Sequence, residues 1–246
     1  MVLNLNLYKT PEQLAEELAT QLMSWIENSP NPLFHMAISG GKTPDLLFRA
    51  LAENYPDWKH WHKVHFWWVD ERMVSPDDAE SNYGKVYNTL FSKNIIPKEN
   101  IHRIKGENDP LSEAKSYSRQ IAEKVPMQDG WPTFDLILLG MGEDGHTASI
   151  FPDQMHLLES PRACEVATHP QSGQKRVTLS GSTINHALKV CFLVTGPDKA
   201  EKLMEVATNH ENAKRLPAAH IHPLNDELAW YIDEAAAREI RDKMPV

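Results

Sequence analysis

The run from Phe134 to Pro152 carries the side chains best suited to acid–base chemistry. It begins with a short apolar segment, Leu136 to Leu139, which is typical of a strand buried on both faces. Three glycines then fall within six positions, and the polar turn that they predict presents Asp144 and His146. An imidazole can exchange a proton near neutral pH, and a nearby carboxylate can assist it. The pair therefore predicts proton chemistry at the end of a buried strand.

Two other interpretations of this run are open. In an isolated Asp-Gly-His sequence, Asp144 would cap the turn and His146 would be a hydrogen-bonded loop residue. The three glycines also match the dinucleotide-binding pattern GxGxxG. That pattern needs a helix directly after the glycines, whereas Pro152 leaves room for at most a short helical turn. We therefore favour a catalytic loop over a dinucleotide site.

A second glycine loop predicts a binding site for an anion. A buried strand is expected at 34–38, and it is followed by the run Ser39-Gly40-Gly41-Lys42-Thr43-Pro44. A helix is expected from Pro44 to about Asn54, with Thr43 as its N-cap. Glycine loops at helix starts bind phosphate through backbone N–H groups, although an ordinary turn is the alternative. A Walker A motif would need a glycine where Met36 stands, so we exclude a nucleotide triphosphatase.

Charged residues lie at the ends of further predicted strands. Asp70-Glu71-Arg72 follows the strand predicted at 64–69, and Lys199 follows the strand predicted at 190–194. A strand at 176–179 begins with Arg176. In open α/β sheets the carboxyl ends of the strands form the ligand crevice, so we expect these groups to converge there. The acidic pair with its arginine could instead be a solvated corner.

Strands and helices alternate along the chain, which predicts an α/β fold. We expect a Rossmann-like, largely parallel sheet with helices on both faces and a few peripheral strands, in one domain over 1–246. Residues 154–174 look irregular and are expected to form a surface loop. Asp109-Pro110 should start a helix that reaches about Lys124 and buries Leu111, Ala114, Tyr117 and Ile121. Asp233 is expected to cap a closing helix.

Composition narrows the possible partners. The 246 residues carry a net charge of −9, which argues against nucleic acid. Cys164 and Cys191 are far apart, so we expect reduced thiols and a cytoplasmic location. No signal peptide and no apolar span long enough for a membrane helix is predicted. His220 and His222 suggest no third ligand, so no metal site is predicted, and the oligomeric state stays open.

Five motifs together resemble the 6-phosphogluconolactonase family. They are Ser-Gly-Gly-Lys-Thr-Pro at 39–44, Trp-Val-Asp-Glu-Arg at 68–72, Ser-Asn-Tyr at 81–83, Gly-Met-Gly-Glu-Asp-Gly-His-Thr-Ala-Ser-Ile-Phe-Pro at 140–152, and Thr-Gly-Pro-Asp-Lys-Ala at 195–200. The resemblance covers almost the whole chain in the same order. It implies hydrolysis of 6-phospho-D-glucono-1,5-lactone to 6-phosphogluconate in the oxidative pentose phosphate pathway, with no required cofactor.

The resemblance also implies residue roles. His146 would be the general base that activates water, and Asp144 and Asp70 would orient that base or hold sugar hydroxyls. Phosphate or developing negative charge would be held by Gly40, Gly41, Thr43, Arg72, Arg176 and Lys199. Ser39 and Gly142 are predicted as further substrate-binding residues.

Two alternatives are kept. Related glucosamine-6-phosphate deaminases have a glutamate in the run after the histidine, where this chain has Ser149-Ile150-Phe151-Pro152. They also have Asp-Glu-Tyr where this chain has Asp70-Glu71-Arg72, and both differences favour the lactonase. A non-catalytic sugar-phosphate binding protein is the second alternative, and the Asp144/His146 pair argues against it.

Overall fold

A seven-stranded parallel sheet forms the centre of the protein. The computed structural model describes residues 3–241. The central sheet has the order β1-β12-β11-β8-β2-β3-β5, and every neighbouring pair is parallel. Its strands are β1 (Leu5–Tyr8), β2 (Phe34–Ile38), β3 (Val64–Trp68), β5 (Ile101–His102), β8 (Leu136–Leu139), β11 (Val190–Val194) and β12 (Leu228–Asp233).

Two small antiparallel sheets flank this one. The first contains β4 (Asp70–Arg72), β9 (Cys164–Thr168) and β10 (Lys175–Leu179), with β10 in the middle. The second is the hairpin of β6 (Met127–Gln128) and β7 (Trp131–Pro132). The predicted mainly parallel α/β fold with peripheral strands is therefore confirmed.

Helices surround the central sheet. The α-helices are α1 (Pro11–Asn28), α2 (Lys42–Asn54), α3 (Asn82–Val86), α4 (Pro110–Lys124), α5 (Gly181–Asn185) and α6 (Ala200–Ala207). Apolar side chains at helical spacing in α1, among them Leu14, Leu18, Leu22 and Ile26, are buried against the sheet. Helix α3 continues directly into a π-helical turn, Tyr87–Phe91. Shorter 3₁₀ turns include Pro152–Glu159, Pro197–Lys199, Pro217–His220 and Ala236–Glu239.

The strand order reverses between β2 and β8. From β2 the chain builds outward through β3 and β5, and it then returns to β8 and builds the other way through β11 and β12. A crevice opens beyond the carboxyl ends of the strands at such a point, because the loops that follow the two central strands diverge. Here those loops are the glycine loop after Ile38 and the loop with His146 after Leu139.

Three expectations about local structure are wrong. Residues 154–174 are not all loop, because they include β9, which pairs with β10 and packs against α4. Leu111 is 61% exposed rather than buried. The residue before α2 is Gly41, with φ of 112°, so Thr43 lies inside the helix and is not its N-cap. Asp70-Glu71-Arg72 follows β3 as predicted, and it forms the separate strand β4.

Side-chain hydrogen bonds lie at the starts of two helical segments. Thr10 caps α1 by accepting a hydrogen bond from the Gln13 N–H. The Asp233 carboxylate accepts from the Ala236 N–H, but in place of the expected closing helix the described chain has one 3₁₀ turn, Ala236–Glu239. Cys164 and Cys191 are buried and form no disulfide with each other. Across residues 3–241, no helix is both long and apolar enough to cross a membrane.

Candidate active site

The predicted loops meet around one cavity at the reversal point of the sheet. This cavity has a volume of about 600 Å³. Ten of the eleven predicted site residues line it, namely Ser39, Gly40, Gly41, Thr43, Asp70, Arg72, Gly142, His146, Arg176 and Lys199. The remaining one, Asp144, lies beside His146. Five separate segments of the chain therefore bring their polar groups to one place.

The loop after β8 holds His146 in a defined orientation. The imidazole Nδ1 lies 2.6 Å from Asp144 Oδ1, and the same carboxylate oxygen accepts the His146 backbone N–H at 3.1 Å. The loop is closed by a hydrogen bond from the Gly142 N–H to the His146 carbonyl. A Cβ atom at Gly142 would lie 2.1 Å from His146 Nδ1 and 2.7 Å from Asp144 Oδ1. Glycine is therefore required there for the two side chains to meet.

Asp144 is ionised over the ordinary pH range. Burial raises the pKa of the Asp144 carboxyl. The hydrogen bond and the charge interaction with His146 together lower it by more, so the pKa is about 2. An ionised carboxylate accepts hydrogen bonds only, so the proton in the shared bond belongs to Nδ1. In the neutral imidazole the other ring nitrogen, Nε2, is then unprotonated. This tautomer is the one that a general base needs.

Two arginines come from neighbouring strands of the small sheet. Arg72 on β4 and Arg176 on β10 are directly opposite each other in the antiparallel register, so their side chains share one face. Nε of each arginine is buried and has no hydrogen-bond partner among residues 3–241. Arg176 is 9% exposed. Both arginines line the cavity, and two adjacent guanidinium groups are a suitable site for an anion.

Asp70 is placed differently from Asp144. It is 6% exposed and accepts a hydrogen bond from Ser149 Oγ at 2.6 Å. Its Oδ2 lies 4.0 Å from Arg176 Nη1. Asp70 therefore anchors the arginine and the loop after His146, and no hydrogen bond joins it to the imidazole within the described chain. Phe151 contacts both groups, with its ring centre 4.9 Å from the His146 ring and 5.6 Å from the Arg176 guanidinium.

The glycine loop and Lys199 form the opposite wall. Ser39 Oγ donates to the Leu138 carbonyl at 2.9 Å, which ties the loop to β8. Thr43 Oγ1 shares a 2.6 Å hydrogen bond with Thr195 Oγ1, which ties α2 to the loop after β11. Lys199 Nζ lies 2.9 Å from Asp198 Oδ2. This wall thus offers backbone N–H groups and the side chains of two lysines, Lys42 and Lys199.

Sequence reasoning left several lining residues out of the predicted site. The most buried of the polar ones is Asn82, which is 2% exposed. Others are Lys42, Glu143, Thr195 and Asp198. Asn82 belongs to the Ser-Asn-Tyr motif, so a signal was present, but its side chain was not assigned a role. Across the described residues, no group of three or more His, Cys, Asp or Glu side chains is placed to hold a metal ion.

The fold and this cavity define a member of a sugar-phosphate enzyme family. The family described as glucosamine-6-phosphate isomerases/6-phosphogluconolactonase matches residues 9–230, and the chain belongs to it. A 6-phosphogluconolactonase of Aggregatibacter actinomycetemcomitans is 41% identical over 232 residues, which are 94% of this chain and 97% of that protein.

Solved structures agree with this assignment. The crystal structure of devB protein matches with a TM-score of 0.91 and 40% sequence identity. The match covers 97% of this chain and 100% of that chain. The 6-phosphogluconolactonase of Thermotoga maritima has a TM-score of 0.79 and 27% identity, with 94% of this chain and 99% of that one covered. The resemblance seen in the sequence motifs is therefore confirmed at the level of the family and of the fold.

Proposed function

We propose that this chain hydrolyses 6-phospho-D-glucono-1,5-lactone to 6-phosphogluconate, a step of the oxidative pentose phosphate pathway. The observation that carries the proposal is the His146 imidazole, held by Asp144 in the same cavity as Arg72, Arg176 and Lys199. The relative from Aggregatibacter bears the name of this activity and matches nearly the full length of the chain.

The first step is attack of water on the lactone carbonyl. His146 Nε2 takes a proton from the water while the water oxygen bonds to C1, which produces a tetrahedral alkoxide and an imidazolium. Asp144 stabilises the imidazolium through the Nδ1–H hydrogen bond. A positioned general base of this kind contributes a rate factor of roughly 10²–10⁴.

The second step breaks the ring. The C1–O5 bond cleaves, the alkoxide electrons re-form the carbonyl, and the imidazolium returns its proton to O5 as it leaves. The product acid then ionises to the carboxylate. Donors near the alkoxide lower this barrier, and one such donor is typically worth a rate factor of roughly 10²–10³. A δ-lactone is already reactive, so these two contributions, together with anchoring of the phosphate, support an efficient enzyme.

The phosphate provides the binding energy that holds the lactone in place. The adjacent guanidinium groups of Arg72 and Arg176, both of which line the cavity, support an anion site on one wall. The glycine loop and Lys199 support a second on the other. The 6-phospholactone carries negative charge at its phosphate and develops it at C1, so each end has cationic or N–H groups to meet it.

The deaminase alternative is weaker. At the position of the deaminase glutamate this chain has Phe151, whose ring packs against the His146 ring. The carboxylate that helps the deaminases to move protons between sugar carbons is therefore missing at this position.

A coupled assay with freshly prepared lactone tests the proposal. After correction for spontaneous hydrolysis, the purified chain should accelerate release of 6-phosphogluconate and should release no ammonia from glucosamine 6-phosphate. His146→Gln should lower kcat about 10²-fold with little change in KM. His156→Gln alters an exposed histidine outside the cavity and serves as the control. A folded His146→Gln enzyme with normal turnover would rule out the base.

A further inference from the structure

Glu71 connects the β4 strand to helix α3. Its carboxylate is 2% exposed. Oε1 accepts the backbone N–H of Arg72 and of Asn82, each at 2.8 Å. Oε2 accepts the N–H of Tyr83 at 2.8 Å and the hydroxyl of Ser81 at 3.1 Å. Two of these donors are the first N–H groups of α3, which a helix cannot satisfy itself. Glu71 therefore fixes the start of α3 to the strand that carries Asp70 and Arg72.

Asn82, the first residue of α3, extends this connection to the glycine loop. Its Nδ2 donates to the Asp70 carbonyl at 3.1 Å. Its Oδ1 is buried and has no hydrogen-bond partner in the part of the chain that the structure describes. A Cβ atom on Gly40 would lie only 2.0 Å from this Oδ1. The Asn82 amide therefore occupies the space that any side chain at position 40 would need.

The unpaired Asn82 oxygen destabilises the folded protein. A buried acceptor without a donor loses the hydrogen bonds that it makes to water in the unfolded chain, so its presence needs an explanation. An apolar residue could fill the same space without that cost. The amide is instead bonded to the strand of one anion-binding wall and packed against the glycine loop of the other.

We propose that Asn82 is a positioning residue, which fixes the spacing between the Gly40–Gly41 loop and the Asp70–Arg72 strand. The loop N–H groups and the Arg72 guanidinium then contact the same substrate at its two ends. Asn82 itself does not need to touch the substrate, because its Oδ1 is enclosed by protein. This role rests on the proposed function, since it concerns binding of the phosphorylated substrate.

A double-mutant cycle between positions 40 and 82 tests the contact. We measure dissociation constants of 6-phosphogluconate and of inorganic phosphate by calorimetry. Asn82→Ala releases the loop, and Gly40→Ala forces it away from the amide, so each should weaken 6-phosphogluconate binding about tenfold. In the double variant the new Cβ fills the vacated space. The double variant should therefore lose affinity for 6-phosphogluconate by a factor at least fivefold smaller than the product of the factors for the two single variants.

Asn100→Ala is the matched control. Asn100 is 4% exposed and its Nδ2 donates to the His62 carbonyl at 2.8 Å, so a similar buried amide contact is lost outside the cavity. This variant should unfold at lower urea concentration with unchanged affinity for 6-phosphogluconate. If Asn82→Ala does not fold, Asn82→Ser, which keeps a polar group of shorter reach, takes its place in the cycle.

Two results would overturn the positioning role. One is multiplicative losses in the double variant, and the other is wild-type affinity in the folded position-82 variant. Failure of the proposed function looks different, because the wild-type chain would then not hydrolyse the lactone. Calorimetry needs no turnover, so the dependence of phosphate and 6-phosphogluconate binding on residue 82 is measured independently of that result.

Discussion

The hydrogen bond between Asp144 and His146 determines which ring nitrogen can act as the base. Because Asp144 is ionised down to a pH of about 2, it holds the proton on Nδ1 and leaves Nε2 to the water. An amide at position 144 could present its NH₂ group to Nδ1 and would then favour the opposite tautomer. The carboxylate therefore matters for its charge and for its inability to donate.

Asp144→Asn should lower kcat by about 10-fold or more while KM changes little. The variant keeps the size of the side chain but loses both the tautomer preference and the stabilisation of the imidazolium. Steady-state kinetics with the lactone measure this. Asp153→Asn, a substitution of an exposed aspartate outside the cavity, is the control. A kcat equal to that of the wild type would show that Asp144 has no part in proton transfer.

Gly142→Ala should also lower kcat at least tenfold, because the added methyl group would overlap the His146 ring at 2.1 Å. Gly140→Ala is a matched substitution two residues earlier, where an added Cβ meets no atom within 4 Å. It should retain most of the activity. Equal kinetics for the two variants would mean that the loop accommodates the methyl group by moving, and that the approach of Gly142 to the ring is not needed for catalysis.

At the scale of elements, the antiparallel pairing of β4 with β10 places Arg72 beside Arg176. Arg176→Ala should raise the KM for the lactone and the inhibition constant of 6-phosphogluconate about tenfold, because one of two adjacent anion donors is lost. Arg176→Lys should recover part of this affinity through charge alone. Arg162→Ala, at an exposed arginine outside the cavity, is the control. Unchanged inhibition by 6-phosphogluconate would remove Arg176 from the binding site.

Contacts between distant segments also explain which parts of the fold and of the site could not be predicted from the sequence. The central strands could be predicted because each is a continuous apolar run, as in Leu136 to Leu139 and Val190 to Val194. Strand β9 could not, because its burial depends on pairing with β10 rather than on its own pattern. Asn82 could be placed in a motif but not in the cavity, because its role depends on contacts with Gly40 and Asp70, distant in sequence.

At the scale of the whole molecule, a cluster of three histidines, His35, His65 and His102, lies on the central sheet outside the cavity. The cavity is at the carboxyl ends of the strands, whereas His35 and His65 lie near the amino ends of β2 and β3. His65 Nδ1 is 2.9 Å from His102 Nε2, and the Trp67 indole N–H donates to His35 Nδ1 at 3.2 Å. The His102 ring stacks on Trp67 with 4.0 Å between ring centres.

These histidines are kept neutral in the folded protein. Burial lowers the pKa of His35 to about 4, and the charges of His65 and Lys124 contribute in the same direction. Burial lowers the pKa of His102 to about 3, with the same two charges and His35 adding to the effect. It also lowers the pKa of His65, which Lys124 lowers further and Glu99 raises. The unfolded chain, with histidine pKa values near 6.5, therefore binds more protons than the folded chain between about pH 3 and pH 6.5.

Stability should consequently fall as the pH is lowered from about 6.5, by roughly 1.4 kcal/mol per pH unit for each extra proton bound by the unfolded chain. In His102→Phe the new ring can still stack on Trp67 but cannot be protonated. The slope of the unfolding free energy against pH should therefore fall by the contribution of about one bound proton. Urea unfolding at several pH values between about 4.5 and 7 measures this slope and covers roughly two pH units below 6.5. His222→Gln, at an exposed histidine, should keep the wild-type slope. Because none of the three histidines lines the cavity, His102→Phe should also leave the KM unchanged at pH 7. An unaltered slope would show that another group takes up the protons.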